Sequence, residues 1–438
     1  MLSEILKSYL TANAERVIIK KSNTNSHKLT IQSIVTGVGL LSIVILPSLG
    51  MVTLNASSQK SGLLLAIIII TSLAFTARIY IRRLIPSLQT IALIMMLVLL
   101  LGAYGYLKYE AFDLNRFFET YTYLLIVSFS VSIVAQIANR TPSHCANFSI
   151  KLVFFVVFSC IAATIFGFGN LVTLGEQFNK PSLFFLEPSH IAGAFSPCLL
   201  YLCAISSPRK KAAILALALA SCICIENTTL LFSWIVVAAL TLPFRQISLA
   251  LCVAIPYLFF KSADFLYYTS RIDITNPTNE SLVLYLSGWE RTYLAFIDSY
   301  GLGIGFQQFG IIGSRGDILQ GLDPALHEVT LLGGSSVAMK FIAEFGVFGL
   351  AAIMWYLLAC AKIAIWLRRI SLSNQKHSSA TTIFLKSCFV LFFIDLFVRG
   401  TGYFTSTTFL FLVSALWISH SLTCCLSYTQ RKIEKLCL

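Results

Sequence analysis

The chain alternates long apolar runs with short polar breaks over most of its length. About twelve runs reach or approach the roughly 17–25 apolar residues that a helix needs to cross a bilayer. They lie near 31–50, 61–79, 87–107, 120–138, 150–172, 189–205, 211–226, 228–243, 246–261, 337–366, 380–398 and 403–425. The seventh and eighth are short, and the break Glu226-Asn227-Thr228-Thr229 between them also fits a re-entrant pair. One interval departs from this rhythm: residues 261–336 form the only long polar stretch. Within it the spacing predicts an amphipathic helix over Val283–Ser299, with Leu286, Trp289, Tyr293 and Ile297 on one stripe and Glu280, Ser287, Arg291 and Asp298 on another. The glycine-rich turn Gly301-Leu302-Gly303-Ile304-Gly305 follows, where a backbone can approach a ligand or a neighbouring helix closely. No strand precedes it, which excludes a dinucleotide-binding fingerprint.

Composition agrees with the pattern. Hydrophobic residues make up 57% of the chain against 12% charged, a balance that no ordinary soluble domain has. The expectation is an all-α polytopic integral membrane protein, one domain over 1–438, with a large outward loop at about 261–336. The twelve cysteines are scattered through apolar runs and read as small buried hydrophobes, not as a disulfide framework. No cleavable signal peptide is evident, so the first span is expected to act as its own insertion signal.

The net charge of +13 is a topology signal and not a sign of nucleic-acid binding. With the amino terminus inside, the cytoplasmic segments collect Arg78, Arg82 and Arg83, then Arg140 and Lys151, Arg209 to Lys211, Arg245, Arg368 and Arg369, together with both basic tails. Of the acids only Glu4, Glu15 and Glu434 fall on that side. Both termini are then cytoplasmic and the long loop faces outward.

Three constellations can carry chemistry. In the loop, Arg271, Arg291 and Arg315 stand among acids, with His327-Glu328 further on. An arginine fork binds phosphate oxygens bidentately and stays charged, although an ion-pair network holding the loop uses the same residues. Second, Glu187-Pro188-Ser189-His190 opens the sixth span. Its carboxylate either sits favourably at a helix start or, partly desolvated beside an imidazole, serves as a general base. Third, Lys340 with Glu344, and Asp395 with Arg399, stand four apart, the spacing that pairs charges along a buried helix face. Arg399, before Gly400 and Gly402, is also a candidate phosphate ligand. The six histidines are spread over both faces, no metal set has ligand spacing, and no Walker loop is present.

The segment F-L-E-P-S-H at 185–190, G-W-E-R-T-Y-L-A-F and Y-G-L-G-I-G-F-Q-Q-F in the loop, His327, and A-E-F-G-V-F-G-L beyond it resemble the Wzy-type O-antigen polymerases, within the superfamily that includes the O-antigen ligases. The resemblance spans about 180–360. It implies a GT-C-like membrane glycosyltransferase of the bacterial inner membrane that joins undecaprenyl-diphosphate-linked repeat units on the periplasmic face, with inversion. It needs neither metal nor cofactor and has the bilayer and a chain-length regulator as partners. It also implies Arg291 on the diphosphate with Arg271 or Arg399 assisting, Glu187 or His327 as base, and His190, Arg315 and Glu328 in support. One departure concerns His327: the ligase-like pattern carries Asn after this histidine, where this chain has Glu328. Two other readings share these features: an O-antigen ligase transferring glycan to lipid A-core, and a transporter or flippase of lipid-linked oligosaccharide.

Overall fold

The computed structural model describes residues 26–54, 58–76, 85–168, 182–246, 280–314, 316–318, 336–373, 378–399 and 402–420, together with 248 and 252. The described residues form helices and turns. In chain order the helices are α1 Ser26–Leu54, α2 Lys60–Thr76, α3 Ile85–Lys108, α4 Leu114–Arg140, α5 Ser143–Ile165, α6 Pro188–Ile205, α7 Pro208–Ile225, α8 Thr228–Thr241, α9 Glu280–Asp298, α10 Val337–Ser373, α11 Ala380–Phe397 and α12 Ser406–His420. Seven of them, α1, α3, α4, α5, α6, α10 and α11, are long and apolar enough to cross a membrane. Helices α2, α8 and α12 are apolar but shorter. The protein is a polytopic membrane protein. The expected span at 246–261 lies almost wholly outside the described residues. Glu226 takes a left-handed conformation that ends α7, and Asn227 caps α8 by accepting from Leu230 N, so the expected seventh and eighth spans are two separate helices.

Helix α6 is the axis of the bundle. From Ile191 to Ala204 nearly all of its residues are buried, and α5, α7, α8, α10 and α11 pack around it. At its side α1 and α2 form a tight hairpin, because a side chain on Gly62 would strike Leu46 O at 2.0 Å.

The turns separate into two ends. At one, Lys211 Nζ donates to Thr241 O (3.0 Å), Ser371 O (2.9 Å) and Ser371 Oγ (2.7 Å), and Ala380 N donates to Ser143 Oγ. This end carries the basic group Arg140, Arg209, Lys210, Arg245, Arg368 and Arg369. At the other end Tyr104, Tyr106, Lys108, Tyr109 and Tyr300 cluster, with Lys108 Nζ 4.4 Å from the Tyr300 ring centre. Tyrosines and a lysine at a helix mouth are what a membrane interface collects.

Helix α9 lies at this second end and packs on α10. Ser287, Arg291, Thr292, Ala295 and Ser299 are buried, whereas Tyr293 is 64% and Ile297 50% exposed. The small and polar stripe faces protein; of the apolar stripe, Tyr293 and Ile297 face outward while Leu286 is half-buried and Trp289 packs against the core. Asp298, expected on the polar stripe with Arg291, is exposed at the helix end.

Candidate functional site

Glu187 is presented by a turn that its own neighbours lock. Ser182 and Phe185 exchange backbone hydrogen bonds (3.1 and 3.2 Å), Leu183 takes φ +61°, and Phe185 is 1% exposed beneath the turn. The chain then enters α6 with Glu187 in extended conformation at the cap position and Pro188 in the first turn. The Glu187 side chain does not cap the helix. It accepts instead from Arg399 Nη2 at 2.9 Å and from Ser189 Oγ at 2.8 Å. Arg399 stands just past α11, its N–H on Ile394 O (3.0 Å). The sequence spacing suggested that Arg399 pairs with Asp395; its ion pair is with Glu187, 212 positions away in the chain.

Burial pushes the Glu187 carboxyl upward, but Arg399, His190 and the Ser189 hydroxyl outweigh it and hold the group below the usual carboxylate range. His190 lies one turn into α6, in the field of both Glu187 and Arg399. Its Nδ1 and the Nε of Arg399 are buried without a hydrogen-bond partner among the described residues. Buried polar atoms are normally satisfied, so two orphans beside one ion pair mark a place where polar groups are held ready.

A second polar cluster surrounds Arg291. The arginine is 6% exposed and its guanidinium lies 4.4 Å from the Phe309 ring centre. Burial pushes its pKa down to about 10, which leaves it charged at neutral pH. Next to it, Thr292 Oγ1 donates to Met339 O (3.1 Å), joining α9 to α10. Lys340 donates to Gln307 Oε1 (3.1 Å) and lies 5.4 Å from the Tyr403 ring centre. Tyr403 Oη donates to Glu344 Oε2 (2.9 Å), and Phe309 N reaches Glu344 Oε1 (3.4 Å). Lys340 and Glu344 are thus linked through Gln307 and Tyr403 and not by a direct ion pair. Lys60, Arg116 and Arg291 add their positive fields at Lys340, against Glu344. Four cations therefore converge, and Glu119 engages Lys60 at 3.6 Å.

The glycine-rich turn serves this cluster as its pin. Helix α10 is interrupted at Gly346 (φ +57°, ψ −131°), which frees carbonyls one turn earlier. Ile304 N donates to Ala343 O (3.0 Å), Gly305 N to Glu344 O (3.1 Å), and Val347 N returns a bond to Gly301 O (2.8 Å). Side chains are excluded from the contact: a Cβ on Gly303 would lie 2.4 Å from Glu344 O. Of the two partners the glycines could approach, a ligand or a neighbouring helix, the structure shows the helix. Gln308 fastens the same loop to Asp113 by two hydrogen bonds, 2.9 and 3.0 Å.

Of the site residues expected from sequence, Glu187, His190 and Arg399 come together and Arg291 lies in the neighbouring cluster. Arg271, Arg315, His327 and Glu328 lie outside the described residues. Sequence reasoning passed over Gln307 and Tyr403, whose only local signal is their place beside glycines. Among the described residues no group of histidines, cysteines and acids could hold a metal ion. Comparison with known protein families, curated proteins and solved structures finds no match.

Proposed function

We propose that this protein is a GT-C-like glycosyltransferase of the bacterial inner membrane, with both termini cytoplasmic. It polymerises undecaprenyl-diphosphate-linked oligosaccharide repeat units at its outer face. The observation that carries the reading is the meeting of Glu187, Ser189, His190 and Arg399 at one mouth of the bundle, a proton acceptor and an anion ligand held by the same ion pair. In the reaction, the anomeric carbon of the donor glycan leaves its diphosphate oxygen and bonds to an acceptor hydroxyl oxygen, and the hydroxyl proton passes to a base. The diphosphate is a good leaving group once cations neutralise the charge that develops on it. Arg291 and Arg399 supply that charge, with Arg271 assisting. In the resting state Arg399 holds the Glu187 carboxylate; an incoming diphosphate competes for the guanidinium, and a carboxylate relieved of its counter-ion becomes more basic. Glu187 is then armed by donor binding. His327 is the alternative base.

The test is the purified protein in lipid nanodiscs, given a defined undecaprenyl-diphosphate-linked repeat unit. A ladder of lipid-linked multimers is expected. Product only when lipid A-core is added would make the protein a ligase, and no transfer to either acceptor, with movement of the lipid-linked glycan across liposomes, would make it a flippase.

A further inference from the structure

A partly open cleft of about 80 Å³ runs between the last turns of α4 and the facing sides of α1, α5, α11 and α12. Its walls are almost wholly apolar and include Gly39, Ala138, Ala146, Ile150, Phe384 and Val413. The room comes from small residues at the points where α1, α4 and α5 approach one another. Two further lining residues fix its depth: Thr141 stands just past the end of α4, and Thr381 in the first turn of α11. The cleft therefore occupies the half of the bundle nearer its basic end.

Water is a poor filling for it. Thr141 Oγ1 donates to Ile137 O (2.8 Å) and lies 3.1 Å from Thr36 Oγ1, and Ser149 Oγ donates to Cys145 O (2.9 Å). Of the lining hydroxyls only that of Thr381 has no partner among the described residues, and its oxygen is buried. An internal water takes about two to four polar partners, more than this lining has to spare. Hydrocarbon needs none. It is also at hand, since Ile34 and Val38 on α1 and Phe148 on α5 turn exposed apolar side chains outward from the same membrane-crossing helices.

The edge of the cleft carries positive charge. Arg140, exposed in the last turn of α4, stands between the lining residues Ala138 and Thr141, and Lys151, also exposed, follows the lining residue Ile150. No acid lies between Glu119 and Glu176 in the chain to answer them locally. An apolar slot with cations at its edge complements a lipid that has a hydrocarbon chain and a phosphate, and arginine is well suited to phosphate oxygens. Glu187 and Arg399 meet at the opposite mouth, so a lipid phosphate engaged there is a separate ligand.

We propose that this cleft seats one acyl chain of an anionic glycerophospholipid, whose phosphate lies on Arg140 and Lys151. The chain fills the gap between α4 and the rest of the bundle, and the bilayer supplies the lipid.

The experiment is thermal unfolding of the detergent-purified full-length protein, titrated with phosphatidylglycerol, with phosphatidylcholine of the same acyl chains, or with glycerol 3-phosphate, which has the phosphate and no chain. Phosphatidylglycerol is expected to raise the midpoint saturably, by about 2 °C or more, phosphatidylcholine by less than half as much, and glycerol 3-phosphate not at all. Ala138→Leu fills the cleft and removes the response to both lipids. Should that variant fail to fold, the double variant Arg140→Gln/Lys151→Gln changes only exposed side chains and makes the two lipids equivalent. No rise with phosphatidylglycerol, an equal rise with phosphatidylcholine or with glycerol 3-phosphate, an undiminished response in folded Ala138→Leu, or a preference for phosphatidylglycerol that survives the double variant would overturn the assignment. Glycosyl transfer plays no part in the readout, so its outcome is independent of the proposed activity.

Discussion

Replacing Gly346 by alanine tests whether the interruption of α10 is the device that seats the cationic cluster. An alanine Cβ there would lie 2.0 Å from Gly301 O and 2.7 Å from Gly303 N. Both are backbone atoms, so no rotamer change relieves the clash. At φ +57°, ψ −131° a side chain also brings conformational strain of about 1–3 kcal/mol. If the turn withdraws, the three backbone bonds between 301–305 and 343–347 are lost, each with a net contribution of about 0.5–1.5 kcal/mol. The combined cost is about 3–7 kcal/mol, beyond the ~0.5–3 kcal/mol of an ordinary substitution. The alternative, a straightened α10, would turn Lys340 and Glu344 away from Gln307 and Tyr403 and, on the proposed function, should abolish polymer synthesis. The control is Gly313→Ala, where φ is +99° but nothing lies within 4 Å of the new Cβ, so only backbone strain is added. The assay is thermal unfolding in detergent, paired with the polymer ladder of a complemented deletion strain. A Gly346→Ala protein that melts within a degree of the wild type and supports a full ladder would refute the reasoning.

Arg291→Lys keeps the charge over Phe309 but loses the planar fork, so stability should fall by no more than about 2 kcal/mol while the ladder is largely lost; Arg291→Ala should lose it entirely. A normal ladder from Arg291→Ala would remove this residue from the diphosphate. Glu187→Gln retains size and hydrogen bonding, so transfer in nanodiscs should drop about 10²–10⁴-fold, and unaltered transfer would reduce Glu187 to a structural partner of Arg399. Because the folded carboxyl is held below its ordinary value, the stability that Glu187 contributes is present above the unfolded pKa, about 4.3, and is lost as pH falls through the folded one. The gap in melting temperature between wild type and Glu187→Gln should therefore close below about pH 4. It should be small throughout, since the pair is partly exposed and such pairs contribute about 0–1 kcal/mol.

Sequence and structure agree where local pattern decides the matter. Eleven of the expected apolar segments fall on helices, and α9 begins and ends within a few residues of its predicted limits. Periodicity alone did not say which stripe of α9 turns inward. In a membrane protein the hydrophobic side has lipid available to it, so the protein can claim the stripe of Ser287, Arg291 and Thr292 for close packing. The pairing of Glu187 with Arg399 has no local signature, because each has a nearer candidate partner in the chain and the fold supplies a farther one. The interruption at Gly346 was hidden because the run from 337 to 366 is apolar on both sides of it, and the glycines that explain it lie some forty residues earlier, in the turn that fills the gap.

The exposed end of the apolar stripe of α9, Tyr293 and Ile297, offers the helix a side to lay against lipid. Tyr293, Ile297 and Tyr300 fix the height at which the helix floats, and α9 carries the turn that is hooked into α10 at Gly346. A thinner or thicker hydrocarbon layer changes that height at a cost of fractions of a kcal/mol per Å. Through the hook, such a displacement would reach Lys340 and Glu344. Acyl-chain length should therefore bear on the cationic cluster from the membrane side, without any change in the chain.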